Sequence, residues 1–387
     1  MNKNYIIPNE WSLIEDVFDD ENVKASESLF SIGNGAMGQR ANFEENYSGA
    51  TFQGSYIGGI YYPDKTRVGW WKNGYPEYFA KVLNAPNWIG INIKINEIEL
   101  DLNTCKVSSF KRELNMKEGW LSRSFNAQFN SGNKIEVNTK RFISIESNET
   151  GAIEYHIKAL NFSGEITFFP YVDAGIENED ANYDEYFWEI LEIVEGENSG
   201  CILSKTLKTE FHVSTAMQVS FALNKQKISV EQQTIIEDKK LTYAYDVNVK
   251  EGETASIYKY ASYTSSLNYK IEDLNAAALS NVENANELGF EALLNAQIKS
   301  WEKIWSTSDI VIEGDVKAQQ GIRFNIFQLN QTYLGTDARL NIGPKGLLVK
   351  NTEAVLIGIQ KLIVFHFIWL QKTQMLRKTY YYTVIIN

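Results

Sequence analysis

Apolar and polar residues alternate along most of the first 265 positions, which is the pattern of strands with one buried face. Every second residue of Ile89–Ile95 is isoleucine, Asn96 and Glu97 interrupt, and every second residue of Ile98–Leu102 is again apolar. The same period recurs, less clearly, in Ile135/Val137, Ile143/Ile145, Val219/Phe221/Leu223 and Val247/Val249. Many short strands separated by glycine and asparagine predict a large antiparallel sandwich.

The apolar period changes to three or four after residue 268. Apolar residues recur at helical spacing at Phe290, Leu294, Ile298, Trp301 and Trp305. This spacing predicts an amphipathic helix of several turns. An earlier helix is predicted through Ala276–Ala285, with Asp273 as its N-cap.

A third pattern lies in Gln319–Gly346. Five residues that share one broad helical face are Arg323, Phe324, Phe327, Gln328 and Gln331. Gly343, Pro344 and Gly346 then predict a loop. A helix face lined by glutamine and arginine is equally typical of a solvated or capping surface, so spacing alone does not assign it a ligand.

Composition narrows the possible partners. The chain has 387 residues, a formal net charge of −12 and 13% aromatic residues. This negative charge disfavours nucleic acid and anionic membranes as partners. Cys105 and Cys201 are too few for a disulfide framework, and no apolar run before residue 347 is fit for a signal peptide or a membrane span. A cytoplasmic location is therefore expected.

The segment Gly33–Gly38 fits the dinucleotide-binding pattern G-x-G-x-x-G. That reading requires an apolar-periodic helix directly after the glycines. Gln39–Ser48 is polar and lacks this period, so the glycines are predicted to form tight turns.

Other candidate sites are weaker. Tyr61–Trp88 is rich in aromatic residues, which could stack on a sugar but more often pack internally. The acidic residues of 177–185 lie in a polar stretch, where a solvated surface is favoured over a catalytic carboxylate pair. His156 and His212 have no sequence neighbours that suggest a triad or a metal site, and we assign them no chemistry.

Two quoted stretches carry a family resemblance. SESLFSIGNGAMGQR near the N-terminus, and RFNIFQLNQ followed by LNIGPKG within Gln319–Gly346, resemble glycoside hydrolase family 65, especially its branch acting on maltose. The resemblance extends over residues 1–346. It implies a mainly β fold with an N-terminal antiparallel β-sandwich (super-sandwich) over residues 1–265 and a helical linker over 266–315. The truncated start of an (α/α)₆ barrel would follow over 316–346.

The resemblance also implies a reaction, which is inverting phosphorolysis of an α-glucosyl disaccharide. One glutamic acid would protonate the glycosidic oxygen while inorganic phosphate attacks the opposite face. In the family pattern this glutamate and a Trp-Asp-Thr-Glu sugar-binding motif come after position 346. No catalytic residue is therefore assigned, and the chain alone is expected to be inactive. Inverting hydrolysis, or a stand-alone carbohydrate-binding or assembly module, are the alternatives.

The resemblance suggests four substrate-binding candidates, Arg323, Phe324, Gln328 and Lys345. It implies no metal and no cofactor, with inorganic phosphate as co-substrate. The expected partners are an α-glucosyl disaccharide and phosphate, with a family-like homodimer and neither nucleic acid nor membrane.

Residues 347–387 differ from the rest of the chain, with one acid and five bases. Leu347–Lys350 can be written TTA CTG GTG AAA, and one restored T gives Phe-Thr-Gly-Glu. Continued with permitted codons, the shifted frame yields Trp-Asp-Thr-Glu and resembles the family's continuation. We therefore predict that 347–387 is an out-of-frame tail.

Overall fold

The computed structural model describes residues 5–65, 77–178 and 186–340. The chain begins with strand β1 (Ser12–Glu15) and helix α1 (Val23–Leu29). A small antiparallel sheet follows, formed by β2 (Ile32–Gly33), β3 (Met37–Gln39) and β4 (Ser55–Ile57). A hairpin of β5 (Tyr61–Lys65) and β6 (Tyr78–Val82) comes next.

The five-stranded sheet has the order β18-β19-β13-β7-β8, and its pairs are antiparallel. Its strands are β7 (Ile91–Ile95), β8 (Ile98–Glu99), β13 (Gly164–Asp173), β18 (Gln233–Glu237) and β19 (Lys240–Val249). The three isoleucines of β7 are fully buried and its polar residues half-buried, so the predicted alternation is confirmed. The paired strand β8 ends at Glu99 and is shorter than predicted, although Leu100 and Leu102 beyond it are buried.

The larger sheet has ten strands in the described chain, in the order β1-β9-β10-β11-β12-β20-β16-β15-β14, with β17 paired to β16. The remaining strands are β9 (Lys106–Asn115), β10 (Trp120–Gln128), β11 (Lys134–Ile143), β12 (Thr150–Ala159), β14 (Trp188–Glu195), β15 (Ser199–Thr206), β16 (His212–Leu223), β17 (Gln226–Ile228) and β20 (Thr254–Ser265). Phe221 of this sheet packs against Phe168 and Tyr245 of the smaller one. The predicted antiparallel sandwich is confirmed.

Helices cover the outer face of the larger sheet. They are α2 (Leu274–Leu288) and α3 (Phe290–Ser308), joined at Gly289. Phe290 packs on Phe142 and Tyr258 of the sheet, which explains the predicted helical period. Asp273 occupies the N-cap position of α2, but its side chain makes no capping hydrogen bond, so that part of the prediction is wrong. Its backbone is already helical, with φ −97° and ψ −9°, whereas a side chain that caps a helix usually belongs to a residue with extended backbone.

Helix α4 (Val316–Thr332) follows a short connector. Phe327 stacks on Trp301 of α3 with ring centroids 4.5 Å apart, which fixes α4 against the rest of the protein. Among the described helices, none is long and apolar enough to cross a membrane. Residues 341–387, with Lys345 and the predicted out-of-frame tail, lie outside the described residues.

Candidate functional site

Helix α4 carries three of the predicted substrate-binding residues, and its first turn is firmly held. The Asp315 side chain accepts a hydrogen bond from the backbone N–H of Ala318 at 3.0 Å, which caps the helix. Gln320 donates to the carbonyl oxygens of Ile7 and Ser12 at 3.0 and 2.7 Å. The N-terminal half of α4 is thus fastened to the strand that begins the large sheet.

Arg323 is buried, and its guanidinium is used by the protein. It donates two hydrogen bonds to the carboxylate of Asp309, at 2.9 and 3.0 Å, and one to the carbonyl oxygen of Glu10. The guanidinium also lies 3.6 Å from the ring centroid of Trp11. A fork-shaped pair of this kind anchors the connector to α4, and the geometry favours anchoring over sugar contact.

The other two described candidates are half-buried. Phe324 packs at the edge of the main core. The side-chain oxygen of Gln328 accepts a hydrogen bond from the Gln331 amide at 2.7 Å. The three described candidates therefore lie on one helix. Arg323 is hydrogen-bonded to Asp309 of the connector, and Gln328 to Gln331 of the same helix. Their role in substrate binding stays a prediction, as does that of Lys345.

The C-terminal end of α4 meets the glycine-rich turn Gly33–Gly38. The backbone N–H of Gly35 donates to the carbonyl oxygen of Gln331 at 2.8 Å. A Cβ at Gly33 would lie 3.1 Å from that same oxygen, and Gly35 has a φ of +86°. These positions require glycine because the helix approaches the turn so closely. The prediction of tight turns here is confirmed.

Asn34 holds this turn in place with four hydrogen bonds. Its side-chain N–H₂ donates to the carbonyl oxygens of Ser144 and Asn148 at 2.6 and 2.8 Å. Its side-chain oxygen accepts from the backbone N–H groups of Ala36 and Met37 at 3.0 and 2.7 Å. A side chain with every donor and acceptor satisfied fixes the turn on the large sheet.

The chain after α4 folds back along the same surface, which we call the α4 edge (Gly33–Gly38, Gly58–Gly59 and Gln331–Leu340). Arg339 pairs with both oxygens of Asp337 and donates to the Leu267 carbonyl and the Asn268 side chain. Hydrogen bonds from Arg339 lower the pKa of Asp337. The side-chain oxygen of Gln331 is buried and has no hydrogen-bond partner in the described part of the chain.

A buried charge cluster (Glu44, Glu45, Arg123, Arg141 and Tyr155) supports this edge from inside the sandwich. Arg123 donates to Glu44 at 2.6 Å and also binds Glu45, while Arg141 donates to the other oxygen of Glu44 at 2.6 Å. Burial alone would raise the pKa of Glu44, but the two guanidinium groups hold it below its usual value. Sealed and paired carboxylates cannot serve a glycoside as acid and base.

The charge cluster connects to the α4 edge through Arg40. Arg141 donates to the Arg40 carbonyl oxygen at 3.0 Å, and the Arg40 side chain donates to the carbonyl oxygens of Phe52 and Lys24. Arg40 directly follows β3, so the cluster fixes the strand that leads out of the glycine turn. Sequence reasoning missed these residues because the partners are far apart in the chain.

His156 has two polar partners in the fold, although the sequence analysis assigned it no chemistry. Its Nε2 lies 3.3 Å from the Glu154 carboxylate, and its Nδ1 lies 2.8 Å from the Ser256 hydroxyl. The spacing of Glu154 and His156, two apart on one strand, was the signal available in the sequence. Ser256 is 4% exposed, so the arrangement is a cross-strand hydrogen bond and not an accessible nucleophile.

Other predicted functional segments fall partly outside the described residues. Residues 66–76 of the aromatic stretch and 179–185 of the acidic stretch are not described. Tyr62 of the aromatic stretch packs internally on Phe187 with centroids 4.7 Å apart, whereas Tyr61 is 43% exposed. Among the described residues, no group of three or more His, Cys, Asp or Glu side chains is placed to hold a metal ion.

Comparison with known proteins identifies relatives over most of the chain. A family model described as the N-terminal domain of glycosyl hydrolase family 65 matches residues 13–304. Maltose phosphorylase of Bacillus subtilis (strain 168) is 40% identical over 339 residues, covering 87% of this chain and 44% of the relative. Alpha,alpha-trehalose phosphorylase of Thermoanaerobacter brockii is 31% identical over 355 residues, covering 87% of this chain and 45% of the relative.

A solved structure of a candidate kojibiose phosphorylase from the human microbiome superposes with a TM-score of 0.80 at 26% identity. The match covers 90% of this chain and 45% of that one. The chain thus spans somewhat less than half the length of the curated relatives it matches.

Proposed function

We propose, since the chain belongs to glycosyl hydrolase family 65, that it is the N-terminal part of an inverting disaccharide phosphorylase. The substrates would be maltose and inorganic phosphate, and the products β-glucose 1-phosphate and glucose. The observation that carries this proposal is the 40% identity to a maltose phosphorylase over 87% of the chain. Identity to the trehalose and kojibiose phosphorylases is lower, at 31% and 27%.

The described residues would supply the scaffold of this enzyme. Phosphorolysis needs a general acid on one side of the glycosidic bond and phosphate on the other. One buried carboxylate pair of the described chain, Glu44 and Glu45, is sealed and neutralised by Arg123 and Arg141. We therefore infer that the acid is supplied by the catalytic half of the enzyme, and that the 387-residue chain alone does not turn over.

The α4 edge would be the junction between scaffold and catalytic half. Gln320, Arg323 and Arg339 fasten α4 and the segment after it to the sandwich. Such fastening would hold the start of a barrel in a fixed orientation. No cofactor is proposed besides phosphate as co-substrate, and we propose a cytoplasmic homodimer.

The test compares the 387-residue chain with the product of its gene after one T is inserted following the Gly346 codon. Each protein is incubated with maltose, trehalose or kojibiose, with and without phosphate, and glucose 1-phosphate and glucose are measured. The proposal predicts phosphate-dependent glucose 1-phosphate from maltose by the repaired protein only.

Each other result has a defined meaning. Glucose release without phosphate would make the repaired protein a hydrolase. Preference for trehalose or kojibiose would correct the substrate. Turnover by the unrepaired chain would contradict the assignment of the general acid to the other half.

A further inference from the structure

A cleft of about 650 Å³ opens on the sandwich between the turn after β1 and the edge of β9. It exists because β1 pairs only with Arg112–Asn115 of the longer strand β9, and the chain then turns away at Asp16. No described strand covers the rest of the β9 edge on this side. The volume falls within the range of small-ligand sites, roughly 300–1,000 Å³.

The floor of the cleft is aromatic. Phe18 and Phe110 lie with ring centroids 5.6 Å apart, and Phe18 is half-buried, so part of its ring remains open to the cleft. Phe43 and Tyr47 pack behind Phe18 at 6.3 and 6.2 Å and hold it in place. A fixed aromatic surface suits a ligand with a flat face of C–H bonds.

The charge beneath the floor favours a neutral ligand. The guanidinium of Arg112 lies 5.6 Å from the Phe110 ring centroid on its buried side, and its nearest carboxylate oxygen, on Glu15, is 3.6 Å away. Because one cation already lies against this ring, a second cation in the cleft would gain less from it. The aromatic floor thus favours a neutral ligand, although the acidic rim would attract an amine.

The rim offers hydrogen-bonding groups that the protein does not use. Asp16 and Asp20 are exposed, and neither carboxylate has an ion pair or side-chain hydrogen bond within the described chain, whereas Asp19 caps the turn. Ser109 is exposed beside them with a φ of +52°, at an irregularity in β9. This bulge prevents an extended peptide from continuing the β1 ladder. The Tyr47 hydroxyl, buried nearby, also has no described partner.

We propose that this cleft binds a neutral sugar of one or two glucosyl units, with its C–H face on Phe18 and its hydroxyls donating to Asp16 and Asp20. The choice of α-glucosides over other polyols rests on the proposed function, but binding itself requires no turnover. Sugar hydroxyls donate well to carboxylates, which accept through two oxygens each.

Cys105 provides the readout, because it lines the cleft and is half-buried, while Cys201 is fully buried. Burial raises the pKa of both thiols, that of Cys201 to about 11, so labelling is done above pH 8. The rate of Cys105 labelling by a small disulfide reagent is measured in the full chain against maltose concentration. At about ten dissociation constants of sugar, only about a tenth of the sites stay free, so the rate should fall about tenfold and level off.

The doubly substituted variant Asp16→Asn/Asp20→Asn should lose this protection, while Asp238→Asn, an exposed residue of another turn, should keep it. All three substituted residues are exposed, so we expect each variant to fold, and an unchanged circular dichroism spectrum will show that it does. Equal slowing by sorbitol, or equal protection in the double variant, would overturn the proposal. Protection by choline but not by maltose would also overturn it and assign an organic cation instead. Because no phosphate is added, these results are independent of whether phosphorolysis occurs.

Discussion

Lys259 gives the sharpest test of the sandwich core. It lies on β20 between the two sheets, with none of its surface exposed. Its amine donates to the carbonyl oxygens of Gly90 and Tyr171 at 2.8 and 2.7 Å. A neutral amine has two N–H donors, which these two acceptors satisfy. A protonated amine would carry a third donor and an unpaired charge, and Lys240 lies nearby as a like charge.

Burial, reinforced by Lys240, therefore holds the pKa of Lys259 well below its ordinary value. In the unfolded chain the Lys259 amine is protonated below about pH 10.4. In the folded chain the amine stays neutral until the pH falls to its lower folded-state pKa. Between these two pKa values the unfolded state binds more protons. Stability should then rise with pH in this window, by up to about 1.4 kcal/mol per pH unit.

Replacing Lys259 by methionine removes this proton linkage. It also leaves the Gly90 and Tyr171 carbonyls without donors, at a cost of about 1–3 kcal/mol for each. We expect Lys259→Met to be clearly destabilised at pH 9 and progressively less so as the pH falls to 7. The control Lys158→Met, at an exposed strand position, should show a pH profile parallel to the unchanged protein.

The assay is unfolding in urea, followed by tryptophan fluorescence between pH 7 and 9.5. The range stops there because buried tyrosines, such as Tyr243 with a pKa raised to about 12, oppose the trend at higher pH. A raised tyrosine pKa means that the folded state holds the proton longer, so stability falls as the pH passes about 10. Parallel profiles for the unchanged protein and Lys259→Met would show that Lys259 is charged in the folded state and would refute the reasoning.

Three further predictions concern the buried charge cluster, the glycine turn and the reading frame. Glu44→Ala should cost about 3–5 kcal/mol of unfolding free energy at pH 7, against a negligible change for exposed Glu251→Ala. Since the folded-state pKa of Glu44 is lowered, the difference in unfolding free energy between the unchanged protein and Glu44→Ala should shrink when urea unfolding is measured below about pH 4. Gly35→Ala should lose more stability than Gly132→Ala, because both have positive φ but only Gly35 faces Leu334, at 3.3 Å. Sequencing the gene with one T added after the Gly346 codon should show Trp-Asp-Thr-Glu in a long open frame, and an early stop there would contradict the frameshift.

The hydrophobic periodicity predicted individual strands and helices of this fold well, but it did not predict which strands pair. The alternation in β7 and the helical spacing in α3 depend on neighbouring residues, so both were visible in the sequence. The pairing of β12 with β20 joins residues about a hundred positions apart, and the sequence of neither strand indicates its partner. Periodicity predicted an antiparallel sandwich and the family resemblance implied the same fold, but neither gave the order of the strands.

The candidate site was less predictable, for a specific reason. Helical spacing placed Arg323 and Gln328 on one face correctly, but spacing cannot separate an arginine that binds a ligand from one that binds Asp309. The charge cluster joins Glu44 to Arg123 and Arg141 across 79 and 97 positions. Only the fold brings such partners together, so a single sequence does not indicate which carboxylate pairs with which arginine.

A sequence signal did exist for which charges are buried. Along β10, Arg123 is in phase with the buried Leu121 and Phe125, and Lys259 is in phase with Ile257 and Ala261 of β20. A charge at a buried position of an alternating strand must be compensated or neutralised. Arginine cannot lose its proton, so its burial predicts a carboxylate partner, and here that partner is the Glu44–Glu45 pair.

Lysine can lose its proton, so its burial requires only acceptors such as backbone carbonyls. Both kinds of buried cation in this sandwich therefore make stability rise with pH, but in different pH ranges. The arginine cluster loses stabilisation in acid, when Glu44 takes up a proton, whereas the lysine gains stabilisation in base. A chain with both should be most stable above neutral pH, between the titration of its buried lysine and that of its buried tyrosines.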